Sequence, residues 1–215
     1  MAYTHLFFDL DGTLTDSRPG IVGAIHYALK QMGRNDDIGD EYRFLGPPLI
    51  DSMQEYFGMD FTTATTAVKE FRDYYGRRGL YENRLFDGVR DLLRDCVAAG
   101  KQCVLATSKG EPFARTILEH FGILPYFSFV AGAVIGGGRD DKADVLRHAL
   151  ENVDPIPAGR GIMVGDKRHD VAGAHEVGLP CIGVLYGYGG PEELRKAGAD
   201  FTVETVDALR DFLLG

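Results

Sequence analysis

The stretch His5-Leu6-Phe7-Phe8-Asp9-Leu10-Asp11-Gly12-Thr13-Leu14-Thr15-Asp16-Ser17 decides the fold. An apolar run ends in two carboxylates one residue apart, followed by glycine and threonine. The run reads as a short buried strand and the glycine as its stop. Buried strands of α/β sheets carry functional residues just past their carboxyl ends. Asp9 and Asp11 are therefore expected at a strand mouth, where they repel each other unless a cation binds or a proton is shared. Such a pair suits phosphoryl transfer to an aspartate: one carboxylate attacks phosphorus, the other serves as general acid and base, and a hard cation neutralises the cluster. The alternative is an acidic strand-to-turn junction with no chemistry.

A chain of 215 residues is long enough for one large domain or two unequal ones. The 45% hydrophobic and 26% charged fractions are those of an ordinary globular protein. A formal charge of -9 argues against non-specific nucleic-acid binding, which needs a basic footprint. No apolar run approaches a membrane span, and the first five residues do not read as a signal peptide. The three cysteines, Cys96, Cys103 and Cys181, form no CxxC pair and lie in apolar patterns, so buried thiols in a reducing cytoplasm are expected.

After the first strand a helix is expected over 19–32, ended by Gly33. Shorter helical stripes fill 36–80, broken at Leu45-Gly46-Pro47-Pro48, and no second strand is expected before about residue 102. A β-α-β crossover needs roughly thirty residues, so the excess points to a helical domain inserted after the first strand. Padding of one sheet face is the alternative. From Asp87 onward helices alternate with strands at 102–106, 127–130, 161–164 and 181–185, and a final α-β-α segment covers 191–214. That alternation predicts an α/β fold with a doubly wound parallel sheet covered on both faces.

Three later segments carry candidate chemistry. Ala106-Thr107-Ser108-Lys109 ends a strand before a helix start at Glu111-Pro112, where a hydroxyl beside free amides either binds phosphate or caps the helix. Lys142 follows Arg139-Asp140-Asp141 at a helix start and reads equally as a surface lysine. The Gly136-Gly137-Gly138 run before it lacks the GK[ST] ending of a nucleotide-binding loop. Finally, Ile162-Met163-Val164 runs into Gly165-Asp166-Lys167-Arg168-His169-Asp170. Asp170 alone could be an N-cap, but Asp166 stands at a strand end as Asp9 does. If the strands are parallel neighbours, Asp9, Asp166 and Asp170 face one point, and their oxygens suit Mg²⁺.

Asp9-Leu10-Asp11-Gly12-Thr13 resembles the signature of the haloacid-dehalogenase-like (HAD) hydrolase superfamily, and the residues after it resemble its phosphoglycolate-phosphatase-like branch. The segment 165–170 is similar to the GDxxxD form of the superfamily's last motif, and the likeness covers nearly the whole chain. The resemblance implies a HAD-like α/β core over 1–15 and 86–215, with a helical cap over 16–85. It implies Asp9 as nucleophile, Asp11 as acid–base, Thr107, Lys142 and the backbone near Gly12 as phosphate holders, and Ser108 and Lys109 near the substrate. Mg²⁺ is expected on Asp9, Asp166 and the Asp11 carbonyl, with Asp170 a direct or water-linked ligand. The implied reaction is Mg²⁺-dependent hydrolysis of a small phosphorylated metabolite such as 2-phosphoglycolate, a nucleotide or a sugar phosphate, by a monomer or homodimer. A sugar phosphomutase and a catalytically silent HAD-like binding protein are the alternatives. Asp11 counts against dehalogenation, which needs no proton for its leaving group. Arg43, just before the break at 45–48, is a candidate contact for a substrate anion, against the alternative of a solvated cap surface.

Overall fold

A computed structural model describes every residue except 1, 2, 47, 48, 136 and 140. The expected break at Pro47-Pro48 and the first glycine of the 136–138 run lie outside the described residues. The chain divides into two compact units, one formed by Met1–Asp16 and Leu85–Gly215 and the other by Ser17–Arg84.

The first unit is an α/β fold with a six-stranded parallel sheet. Its strands are β1 (His5–Phe8), β4 (Gln102–Gly110), β5 (Phe127–Ala133), β6 (Gly161–Gly165), β7 (Cys181–Val184) and β8 (Phe201–Val203), in the order β5-β4-β1-β6-β7-β8. The helices are α4 (Val89–Ala98), α5 (Glu111–His120), α6 (Lys142–Glu151), α7 (Arg168–Glu176), α8 (Gly190–Ala197) and α9 (Val206–Leu214). β1 is central because all four of its residues are buried, which suits an apolar run without alternation. Successive side chains still point to opposite faces. Phe7 joins Val104 and Met163 in a core closed by Val145, Leu146 and Ala149 of α6, Val171 and Ala174 of α7, and Leu194 of α8. Fully burying side chains of this kind contributes about 1.5–3 kcal/mol each.

Register carries the consequence for function. Phe8 pairs with Leu105 on one side and Val164 on the other. The next residue after β1, Asp9, therefore leaves the sheet at the level of Ala106 and Gly165; β4 itself continues paired to β5 through Thr107 to Gly110, beyond the expected end at 106, and Asp166 directly follows β6. The Asp9 amide extends the ladder to Val164 O at 2.9 Å.

Two short strands escaped the sequence reading. β2 (Thr15–Asp16) and β3 (Arg84–Leu85) form a separate two-stranded sheet. Two residues are too few to give a period-2 signal, which is why the expectation of no strand before 102 fails.

The second unit is helical: α1 (Arg18–Gln31), α2 (Leu49–Phe57) and α3 (Phe61–Tyr74), with a 3₁₀ turn at Glu41–Phe44 and a π turn at Tyr75–Gly79. It has its own core, in which Ile25 and Leu29 of α1 meet Ile38, Phe44, Met53, Phe57, Met59, Ala64 and Ala67. Asp60 caps α3 by accepting from Thr63 N at 2.8 Å, the arrangement an N-terminal aspartate favours. No helix among the described residues is long and apolar enough to cross a membrane.

Candidate active site

At the carboxyl end of the sheet, Asp9, Asp166 and Asp170 are all buried and each offers an oxygen within 4.8 Å of the others. Lys142, the first residue of α6, reaches into this cluster. Its Nζ donates to Asp9 Oδ1 at 2.7 Å and to Ala106 O at 2.9 Å, and it pairs with Asp170 Oδ1 at 2.8 Å. Burial alone would lower the lysine's pKa, but the two carboxylates, Asp170 foremost, outweigh it and push the pKa well up. The lysine is therefore a fixed cation, and the reading of Lys142 as a surface residue is overturned by its burial. The weak penalty of a helix N-terminus is small beside two buried charge-assisted bonds.

Three buried carboxylates against one lysine leave net negative charge in a low-dielectric place. Burial raises the pKa of Asp9, the nearby Lys142 lowers it, and Asp170 raises it again. Asp166 is raised well above the usual carboxylate range by burial, then by the charges of Asp170 and Asp9. A hard divalent cation removes this conflict, and a set made only of oxygen donors fits Mg²⁺ or a similar ion.

The three acids are not equivalent. Asp170 sits in the first turn of α7, not at its N-cap, which is Lys167. Its Oδ2 accepts from Lys167 N at 2.9 Å and Asp166 N at 3.1 Å, while Oδ1 faces Lys142. Both oxygens thus have partners in the protein. Asp166 Oδ2 accepts from Tyr188 N at 2.7 Å, and Oδ1 has a long contact from Thr13 Oγ1 at 3.3 Å. Asp166 and Asp9 retain more capacity for an ion than Asp170.

Asp11 is half-buried in the turn that follows β1. Its Oδ2 pairs with Lys109 Nζ at 2.9 Å, and Oδ1 is buried with no hydrogen-bond partner among the described residues. A buried oxygen without a partner is costly unless a ligand or proton uses it. Lys109 is thus placed directly beside Asp11. Thr107 is buried within β4, its Oγ1 accepting from Lys109 N at 3.2 Å, whereas Ser108 is exposed. Neither caps α5, whose N-cap is Gly110.

Two expected contact groups have partners inside the protein. The Gly12 amide, expected to hold phosphate, donates to Thr15 O at 2.8 Å, and Gly12 serves the turn with φ of 82°. A positive φ here suits glycine alone. Arg43 is packed within its own unit: its guanidinium lies 4.4 Å from the Tyr56 ring centroid and 4.9 Å from that of Phe44, and Nη2 donates to Ile38 O at 2.7 Å. Those contacts lie within the helical unit, and the sequence alone could not assign them.

The loop 185–190 went unread. Tyr186 and Tyr188 approach the site through hydrogen bonds to Thr13 O at 3.0 Å and Asp16 Oδ1 at 3.1 Å. The available signal was Tyr186-Gly187-Tyr188-Gly189-Gly190 directly after a core strand, at the end of the sheet where ligands bind.

Three buried acids and a lysine brought together at the carboxyl end of an α/β sheet are compatible with a phosphoryl-transfer class of protein, and comparison with known proteins points the same way. Residues 6–184 match the family model described as haloacid dehalogenase-like hydrolase. A 5'-nucleotidase of Pseudomonas aeruginosa is 38% identical over 99% of this chain and 96% of its own. Tyrosine-protein kinase PtkA of Mycobacterium tuberculosis is 42% identical over 97% of this chain and 72% of its own. Its solved structure superposes with a TM-score of 0.86, covering 99% of this chain and 98% of that one. A phosphoglycolate phosphatase of Cupriavidus necator is 33% identical over 96% of this chain and 91% of its own. The chain belongs to the haloacid dehalogenase-like hydrolase family and is an enzyme of its phosphatase-named group.

Proposed function

We propose that the protein hydrolyses a small-molecule phosphomonoester through a phosphoaspartate on Asp9. The observation that carries this reading is the buried Lys142 bridge, which presents Asp9 as a carboxylate at a strand end with Asp166 and Asp170 beside it. Asp9 attacks phosphorus, the phosphorus–oxygen ester bond breaks, and the leaving oxygen takes a proton from Asp11. Asp11 then removes a proton from the water that attacks the phosphoaspartate, and phosphate leaves. The partnerless Oδ1 of Asp11 suits such a shuttle, and Lys109 on Oδ2 holds the side chain in place. Thr107, on the neighbouring strand β4, and Lys142 stabilise charge on the transferring group. Asp9 and Asp166 would hold Mg²⁺, with the Asp11 carbonyl completing the set and Asp170 acting through water and Lys142. A bound Mg²⁺ supplies positive charge against the phosphoryl oxygens.

Ser17–Arg84 acts in this reading as the cap that selects the leaving group, in keeping with its insertion after the first core strand. The names of the relatives put 2-phosphoglycolate and 5'-nucleotides first among substrates. The tyrosine-protein kinase among them motivates a second reading, in which a tyrosine hydroxyl takes the place of water as acceptor.

The test is phosphate release with Mg²⁺ from 2-phosphoglycolate, 5'-nucleotides, sugar phosphates and phosphotyrosine, with and without EDTA. A parallel reaction offers ATP and a tyrosine peptide. Asp9→Asn is expected to fold and to lose at least about a thousandfold in turnover. Full activity in the folded variant refutes the nucleophile assignment, and peptide labelling without phosphate release favours the second reading.

A further inference from the structure

The loop 185–190 bears on the site without supplying an acid, a base or a phosphate contact. It starts where β7 ends and lies against three things at once. The Tyr188 N–H donates to Asp166 Oδ2 at 2.7 Å. The Tyr188 hydroxyl donates to Asp16 Oδ1 at 3.1 Å, and Asp16 is itself buried. The Tyr186 hydroxyl donates to Thr13 O at 3.0 Å, and its ring meets Phe86 edge-on with centroids 5.1 Å apart. Asp16 is the last residue before the chain leaves the α/β unit, and Phe86 lies just after its return.

The fit leaves no slack. A Cβ on Gly187 would lie 2.3 Å from Asp166 Cβ and 2.4 Å from Gly12 O. A Cβ on Gly12 would lie 2.3 Å from Asp166 Oδ2. The Asp166 carboxylate is therefore boxed between two glycine backbones, one from the turn after β1 and one from this loop. Its orientation depends on where the loop sits.

We propose that the loop 186–190 is a positioning element for Asp166 as a cation ligand, anchored by the Tyr188 hydroxyl on Asp16. This inference rests on the metal reading of the acidic cluster. The Tyr188 amide fixes Oδ2, while Oδ1 has only the long contact from Thr13 Oγ1 among the described residues. The hydroxyl at the other end of the same residue ties that amide to the strand by which the chain exits. Outer partners of a metal-ligating carboxylate commonly set affinity through orientation alone. Tyr188 is a positioning residue, since it acts through Asp166.

The experiment is Mn²⁺ binding to the full chain, read from the electron paramagnetic resonance of free Mn²⁺, together with Tm of the metal-free protein. The variants are Tyr188→Phe, Asp16→Ala, the double variant and Asp166→Asn. Tyr188→Phe keeps the amide and the ring, and about a tenfold weaker Kd is expected with Tm within about 2 °C of wild type. Asp16→Ala is expected to weaken Kd by a similar factor and the double variant by no more than either single one, because both break one bond. Wild-type Kd in Tyr188→Phe overturns the inference, as do additive losses in the double variant or a fall in Tm without a selective change in Kd. If Asp166→Asn also binds Mn²⁺ as wild type does, the metal reading itself has failed. If only Asp166→Asn loses binding, that reading stands and the positioning role of Tyr188 falls.

Discussion

The two units treat polar side chains in opposite ways. Among the described residues of the helical unit, the buried polar side chains are Ser17 and Ser52, both uncharged. The α/β unit buries Asp9, Asp16, Lys142, Asp166 and Asp170, with His5, Thr13, Thr15 and Thr107. In the helical unit charged groups pair nearer the surface, as Arg18 with Glu41 and Arg34 with Asp36, where such pairs stabilise by no more than about 1 kcal/mol. Buried charge is expensive unless paired, and stability alone does not call for it. Where a protein keeps four such groups at one sheet end, the arrangement is there for chemistry. In the proposed reading the difference puts the reaction in the α/β unit and leaves selection to the helical one.

The most forceful way to break this comparison is to remove the cation of the cluster. Lys142→Met fills similar space and leaves Asp9 and Asp170 without their partner. Truncating one member of a buried ion pair costs about 3–5 kcal/mol, and a protein of this size loses about 2–4 °C in Tm per kcal/mol. The expected outcome is a large fall in Tm at pH 7.5 and loss of phosphate release. The sign of the pH effect follows from the remaining carboxylates. Burial raises the pKa of Asp9, so its contribution is present at low pH and lost as pH rises through the folded value. The Tm deficit should therefore shrink toward pH 5, and also on adding millimolar Mg²⁺. A variant as stable as wild type, at every pH, would mean that the buried charges cost nothing and that the contrast between the units carries no functional meaning.

Legibility divided along the same line. The apolar run ending at Asp9, the run ending at Asp166 and their parallel neighbourhood could be read because a strand buried on both faces has a plain signature and a defined functional end. Lys142 could not be separated from a surface lysine without the family likeness, since what distinguishes it is a partner 133 residues away. The partner of the Gly12 amide is hidden for a similar reason: its acceptor, Thr15 O, is a property of the turn. Tyr188 acts on Asp166 through its backbone N–H, which every residue but proline carries, so no side-chain pattern could reveal it. In the helical unit the stripe of apolar residues gave the helices, but arginines on an amphipathic helix look alike whether they meet a ligand or a neighbouring ring.

Arg43 sharpens the contrast from the other side. Its guanidinium stacks on Tyr56 and Phe44 and satisfies the Ile38 carbonyl. Arg43→Met keeps much of the stem's packing and removes the cation–π contact and the hydrogen bond, together worth about 1–2 kcal/mol. A fall in Tm of a few degrees is expected, with the order of preference across the phosphomonoester panel unchanged. A selective rise in KM for one substrate, without a stability loss, would return Arg43 to the role of anion contact and show that the helical unit contributes charge directly.

The smallest effect concerns His5, the titratable group buried in the α/β unit at the opposite end of β1 from Asp9. Its Nδ1 meets Thr4 Oγ1 at 2.9 Å, while Nε2 is buried without a hydrogen-bond partner. Burial lowers its pKa, and the negative charge of Asp154 offsets this only in part. The ring is therefore neutral in the folded protein at neutral pH, and neutrality is what makes it tolerable so deep in a sheet. Because the unfolded chain takes up a proton at about pH 6.5 and the folded chain only lower, the stability this group contributes is present above 6.5. It is lost as pH falls through the folded value. His5→Val, which removes the titration and suits a strand, should lose less Tm than wild type between pH 7.5 and pH 5.5. The difference should be on the order of 2 °C, measured without added metal. Equal acid sensitivity in the two proteins would mean that folding leaves the proton affinity of His5 unchanged, and a greater loss in the variant than in wild type would mean that the ring is charged and paired in the fold. The α/β unit would then carry buried charge at both ends of its central strand, and burial of charge would cease to mark the reactive end.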